Sequence, residues 1–208
     1  MLASTIMLEF LTGTGLAVAA GLNAYIPMLA LGLMGRFVEF IDLPANWSWL
    51  ENEWVLGILG VLLVIEIVAD KIPVVDSIND WLQTIVRPAA GGIVFGTGSA
   101  AETAAVTDPA AFFASNQWVP IATGVLIATG VHGTKMAARP ALNALTFGAA
   151  APVASAVEDV SSVVLALVAL LLPVFVVLAI VGLVIAFVAL FRRARRKRRE
   201  REPAASAP

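Results

Sequence analysis

Three groups of ionisable side chains stand in or beside apolar sequence, and their types and spacing are what could do chemistry in this chain. The first group holds Glu66, Asp70, Lys71, Asp76 and Asp80, with Arg87 shortly after. Glu66 and Asp70 are four residues apart, so on a helix both carboxylates share one face. The second group is His132, Lys135 and Arg139. Its spacings of three and four also put all three on one helical face. Such a stripe could hold a phosphate or carboxylate, or pair with the acids of the first group. The third group is Glu158 and Asp159, among Ser155, Ser161 and Ser162. An ionisable side chain inside a membrane costs ~2.5–3.5 kcal/mol on insertion scales and is a functional-site hypothesis by default.

Each group also has a plain structural reading. The acids of the first could be solvated on an interfacial helix, a reading that fits Asp80 better than Glu66, which has apolar sequence on both sides. Lys135 and Arg139 could snorkel to a surface while His132 makes an ordinary hydrogen bond. Glu158 and Asp159 could meet the positive end of a helix dipole at an N-terminus outside the membrane. For that last pair, the capping role has a slight edge over a ligand site.

The elements that must position these groups are transmembrane helices. Hydrophobic residues make up 60% of the 208-residue chain and charged residues 13%, against about 25% charged in soluble domains. Val160–Phe191 is uncharged and 32 residues long, and it ends in the basic block Arg192–Arg199. As one helix it would measure about 48 Å, more than the ~30 Å hydrocarbon thickness of a bilayer. Eight of the thirteen basic residues lie between Arg192 and Arg201. Next to a span such a block is a topology determinant that touches anionic lipid, which outweighs nucleic-acid binding and puts the C-terminus in the cytoplasm. Residues 192–208 are expected to form a basic, disordered tail.

Six spans are expected in an all-α polytopic bundle over residues 1–191. They are Phe10–Gly35, broken near Gly21, Asn23 and Pro27; Trp54–Ala69; Pro88 to about Val106, with Glu102 near its end; Gln117–Thr134; Pro140–Val157, as a span or a re-entrant segment; and the long terminal run, kinked or tilted at Pro173. Between the second and third, Pro73 suits the first turn of a helix. After it, Val75, Ile78, Leu82 and Ile85 oppose Asp76, Asp80, Gln83 and Arg87, the pattern of an amphipathic helix at the cytoplasmic surface or folded into the bundle. With both termini cytoplasmic, Lys71, Arg87, Lys135 and Arg139 fall at cytoplasmic ends, the acidic loop between the first two spans and the loop near Asp108 lie outside, and only Arg36 disobeys. Trp47, Trp49 and Trp54 are expected at a membrane interface. Gly15–Ala24 aligns without gaps to Gly124–Gly133. A true repeat there would make two inverted halves, 1–106 and 117–191, as in many transporters; chance similarity explains the match equally well in so glycine- and alanine-rich a chain.

These residues, taken in order, resemble domain-of-unknown-function family 4126, small bacterial membrane proteins. The resemblance lies in Gly21-Leu-Asn23-Ala-Tyr25-Ile-Pro27, in Glu66 with Ala69-Asp70-Lys71-Ile-Pro73-Val-Val-Asp76, in Val86-Arg87-Pro88-Ala-Ala-Gly91, in His132, Lys135 and Arg139, and in Glu158-Asp159-Val160. The family more often has arginine where this chain has Asn23, which removes one cationic group from the first half. The resemblance implies one site built from the three groups, in the bacterial cytoplasmic (inner) membrane, and supplies no activity.

Enzyme chemistry has little to stand on. There is one histidine, no cysteine, no serine elbow and no phosphate-cradling glycine loop. Carboxylates with His132 could hold a divalent cation through oxygen ligands, but the spacing matches no metal motif, and no cofactor is called for. The expected function is a small transporter or lipid-headgroup translocase. Lys135 and Arg139 would engage an anionic group, Glu66 or Asp70 would take up a proton or cation, and motion near Gly21–Pro27 would alternate access. The competing expectation is a non-catalytic accessory or assembly subunit of a larger membrane complex, with the same charges as interhelical salt bridges.

Overall fold

The computed structural model describes residues 2–39, 41–99, 116, 118–146 and 151–201. It is all-helical among these residues, with α1 Leu2–Leu22, α2 Tyr25–Phe37, α3 Glu53–Ala69, α4 Pro73–Gly98, α5 Trp118–Thr146, α6 Ala151–Leu171 and α7 Val176–Arg201. Two 3-10 segments, Ala45–Glu51 and Pro173–Phe175, precede α3 and α7. Two helices are long and apolar enough to cross a membrane, Ser4–Leu22 and Ala151–Leu171, and a third joins them if the bent pair Ala45–Glu51 and Glu53–Ala69 is one span. The chain is therefore read as a polytopic membrane bundle. Its exposed apolar side chains, such as Ile58, Val61 and Ile65 on α3 and Val177, Leu178 and Ile185 on α7, then face lipid.

Helix α1 is the centre of the bundle and packs against α4, α5 and α6. Small residues let the backbones approach, since every Cβ withheld brings two helices closer. A Cβ on Gly124 would strike the Gly91 carbonyl, one on Gly91 would strike the Ala128 side chain, and one on Gly21 would lie 2.9 Å from the Ala128 carbonyl oxygen. Leu16, Leu31, Leu50, Val94, Leu165 and Val176 fill the core between them.

The break between α1 and α2 has a local cause. Asn23 Oδ1 accepts from the backbone N–H groups of Tyr25 (3.1 Å) and Ile26 (3.2 Å), which satisfies donors that a new helix leaves without partners. Pro27 then falls in the first turn of α2, where no helical N–H is lost. Asn52 caps α3 in the same manner by accepting from Trp54 N at 2.9 Å. Arg36, the residue out of step with the charge rule, bonds Glu53 at 2.9 Å and the Glu51 carbonyl at 3.0 Å. It ties α2 to the segment before α3.

Several expected boundaries move. The amphipathic stretch after Pro73 is no separate surface helix but the first half of α4, which runs unbroken through Pro88. Its polar face turns inward and its apolar face outward, with Ile78, Trp81, Leu82 and Ile85 all exposed. Pro140–Val157 is neither a span nor a re-entrant element, because 140–146 closes α5 and 151–157 opens α6. The long terminal run is two helices: α6 stops at Leu171, a 3-10 turn starts at Pro173, and α7 begins at Val176. Helix α7 continues through the basic block, so 192–201 is helical where disorder was expected. Trp47 is buried against Gly96 instead of lying at an interface, while Trp54 is exposed. Glu102, most of the 107–116 loop and the tail beyond 201 lie outside the described residues.

Candidate functional site: a buried charge network

Helix α4 supplies the spine of the site. Asp80, Gln83, Thr84 and Arg87 stand at i, i+3, i+4 and i+7, one stripe of a helix, and Asp80, Gln83 and Arg87 are buried. Glu66 is buried in the last turn of α3, and Asp70 is the residue that ends it. Helix α5 presents His132, Lys135 and Arg139 from the opposite side, and α6 adds Ser155 and Glu158.

The deeper half centres on Arg87, which is 0% exposed. Its Nη2 bonds Glu66 Oε1 at 2.8 Å. Its Nη1 lies 3.4 Å from the Gly21 carbonyl oxygen, at the end of α1, and 3.3 Å from His132 Nδ1. A guanidinium only donates, so His132 Nδ1 is the acceptor and the ring proton sits on Nε2. That N–H points to Thr84 Oγ1 at 3.3 Å, and the threonine hydroxyl in turn donates to the Asp80 carbonyl at 3.0 Å. His132 is thus a neutral relay between Arg87 and Thr84, not a third cation of the α5 stripe.

The outer half gathers three carboxylates around two cations. Lys135 Nζ stands 2.8 Å from Glu158, 3.6 Å from Asp70 and 3.7 Å from Asp80. Arg139 reaches the same three acids at 3.1, 3.5 and 3.4 Å. Asp70 also accepts from Asn79 Nδ2 at 2.8 Å and from the Ser155 hydroxyl at 3.4 Å. Burial alone would raise its carboxyl, but Lys135, Arg139 and the Asn79 bond together hold it below the ordinary carboxylate value. Asp159 stands to one side, where its Oδ1 accepts from Asn23 Nδ2 at 2.9 Å. Asn23 therefore caps α2 and ties the α1–α2 break to α6 with one side chain.

The sequence-selected residues Glu66, Asp70, Asp80, Arg87, His132, Lys135, Arg139 and Glu158 thus meet in one network, while Asp159 stands beside it, bonded to Asn23. Lys71 does not join it and is exposed. The side chain of Asp76 lies outside the described residues. Glu158 and Asp159 are the eighth and ninth residues of α6, so they are not a helix cap at an outer surface. Arg87 is no surface topology marker, being wholly enclosed by its partners. Thr84 and Asn79 are not among the residues the sequence singles out, whereas Gln83 stands on the polar face read after Pro73 and Ser155 within the third group. The i+4 position after Asp80 carries a signal for Thr84, and Asn79 has none.

The model of a family annotated only as a domain of unknown function, DUF4126, matches residues 10–193. The chain belongs to this family. The matched region holds every residue of the network, so the buried charges sit within the DUF4126 domain, while the first turns of α1 and the end of the basic helix lie beyond it. No curated protein and no solved structure matches the chain.

Proposed function

We propose that this DUF4126 protein is a small transporter or lipid-headgroup translocase of the bacterial inner membrane, with the charge network as its proton- or cation-coupled site. The observation that carries this reading is the burial of three carboxylates and three cations in one place, with Glu158 half-buried at their edge, beside a helix break. Buried ion pairs are weak devices for stability, since desolvation consumes most of their attraction. So many of them at one depth are better explained as groups that change partners. The break touches the network through the Gly21 carbonyl on Arg87, and Asn23 ties it to α6 beside the network through Asp159. A shift of α2 against α1 would be felt at Arg87.

The same reading takes the bundle as six crossings with a cytoplasmic C-terminus. The α1–α2 unit would be the first, and α3, α4, α5, α6 and the apolar part of α7 the other five, the last three forming the half that answers the first three. The charged ends of α3, α5 and α6 then share the cytoplasmic side, where the basic end of α7 would meet anionic lipid.

The test is flux in proteoliposomes, with candidate anions, cations and labelled lipid headgroups as cargo. Glu66→Gln or Arg139→Ala protein that is folded and transports as well as wild type would remove the assignment. The reading as an accessory subunit has one observation in its favour: Arg87, Lys135 and Arg139 all lie within ion-pair distance of carboxylates of this chain. Co-purification with stoichiometric partners, and loss of that complex when a charge pair is swapped, would favour it.

A further inference from the structure

Among the described residues the charges of the network do not balance, and the imbalance is local. Glu66 and Arg87 neutralise each other in the deeper half, where His132 is neutral by its hydrogen bonds. The outer half has Asp70, Asp80 and Glu158 but only Lys135 and Arg139. A net charge enclosed in low dielectric is costly enough that the group changes protonation instead. We infer that the outer half carries one exchangeable proton, that Asp80 holds it, and that the species taken up by the site is a proton and not an anion.

The geometry singles out Asp80 among the three acids. Glu158 Oε2 accepts from Arg139 at 3.1 Å and lies 2.8 Å from Lys135 Nζ, the position of a carboxylate oxygen between two cations. Asp70 has an amide donor at 2.8 Å, a hydroxyl at 3.4 Å and two cations nearby. Asp80 accepts one side-chain hydrogen bond, from Arg139 to Oδ2 at 3.4 Å, and stands farthest of the three from Lys135, 3.7 Å from Oδ1, and that buried Oδ1 accepts no hydrogen bond. An ionised oxygen without a donor costs more than a hydroxyl without an acceptor. The groups facing Asp80 are Asp70 at the end of α3, Arg87 on its own helix, Lys135, Arg139 and His132 on α5, and Glu158 on α6.

An anionic cargo meets the opposite situation. Lys135 and Arg139 already stand against three carboxyl groups, so an incoming phosphate or carboxylate would take the neutral outer half to a net negative charge. The expected engagement of an anion by these two residues is thereby replaced. In the exchange step the O–H bond of Asp80 breaks and an O–H bond to water forms. The network goes from neutral to one negative charge, and the reverse step restores it. Asp80 and Glu158 are the least enclosed of the four acids, at 11% and 13% side-chain exposure, which gives the proton a short way out.

The inference deepens the transport reading and rests on it for what the proton drives, but its chemistry is measurable without transport. The experiment is infrared spectroscopy of the whole protein in detergent, following the C=O stretch of protonated carboxyls through a pH titration, beside flux in liposomes. The wild-type protein is expected to keep one buried protonated carboxyl at neutral pH. Asp80→Asn should lose that band, and Asp80→Glu should keep it at a shifted position. A wild-type spectrum without a protonated carboxyl at neutral pH overturns the inference, with no variant needed. A band that survives Asp80→Asn and vanishes in Glu66→Gln or Asp159→Asn also overturns it. A band that behaves as expected in a protein that moves no cargo sustains the proton site and sinks the transport reading alone.

Discussion

Replacing Arg87 with Met is the most searching perturbation of the fold. The guanidinium is wholly buried, and its partner Glu66 is 1% exposed. Met removes the 2.8 Å bond to Glu66 and the donors to the Gly21 carbonyl and His132 Nδ1, and it leaves the Glu66 carboxylate enclosed without a counter-charge. Removing one partner of a buried pair costs about 3–5 kcal/mol, or two to three and a half decades in the folded-to-unfolded ratio at ~1.4 kcal/mol per decade. Glu66→Leu alone leaves Arg87 as the enclosed unpaired charge and should cost a similar amount. The double variant Glu66→Leu/Arg87→Met removes both charges, and replacing a buried pair with apolar groups is often neutral or stabilising. The cycle should therefore show a coupling near the sum of the two single losses. The assay is reversible unfolding in mixed detergent micelles, with helicity as the readout. Single variants within about 1 kcal/mol of wild type, or a double variant as unstable as the sum of the singles, would refute the account of a mutually dependent enclosed pair.

Three further outcomes follow from particular contacts. Gly124→Leu should push α5 off α4, because even a Cβ there meets the Gly91 carbonyl, at a cost of at least the ~1–3 kcal/mol of an overpacked core; Gly130→Ala, with open space around its Cβ, should be neutral or slightly stabilising in the same unfolding assay. Asn23→Ala should lose about 0.5–2 kcal/mol as a cap and also free Asp159, so amide exchange in the first turn of α2 should rise more than in α3; equal protection in wild type and variant would contradict the cap. Asp70 has its carboxyl held below the ordinary value of 3.8, so its contribution to stability is present above that value and is lost as pH falls through the lower folded one. Thermal denaturation of wild type and Asp70→Asn should accordingly converge toward strong acid and diverge above about pH 4, and a gap independent of pH would exclude the linkage.

What could be read in the sequence was whatever a single helix decides for itself. The i, i+3, i+4, i+7 stripe from Asp80 to Arg87 and the face shared by His132, Lys135 and Arg139 follow from helical period, and both stand in the structure. So does the break near Asn23, written in a local Asn followed by Pro27. The partners of each charge were not legible, because they are chosen by how closely α1, α4 and α5 approach at Gly21, Gly91 and Gly124. The misplacement of Glu158 has a simpler origin. Alanine-rich sequence from Pro140 to Val157 gives no boundary signal, so α6 was started several residues late and its eighth residue was taken for its first. The sequence leaves the polar face of α4 open between a surface and the bundle interior, because a periodic pattern states which residues share a side and only packing states which side faces inward.

The bundle does not need its ions for close packing. The tight approaches lie at Gly15 against Ala169, Gly91 against Ala128, Gly124 against Gly91 and Gly98 against Leu16, and these contacts are made by small and apolar groups. Association of helices in lipid rests on just such packing. The charged stripe of α4 begins on the other side of Arg87, one turn before Gly91, so the same helix holds its neighbours with one segment and presents Asp80, Gln83, Thr84 and Arg87 with the other. A helix organised for cohesion alone would continue the small-residue pattern through both. The enclosed acids instead outnumber their cations, and the surplus sits with Asp80 beside the least enclosed carboxylate, Glu158. That is an arrangement for gaining and losing a positive charge, placed where the α1–α2 break can sense it through Arg87 and the Gly21 carbonyl.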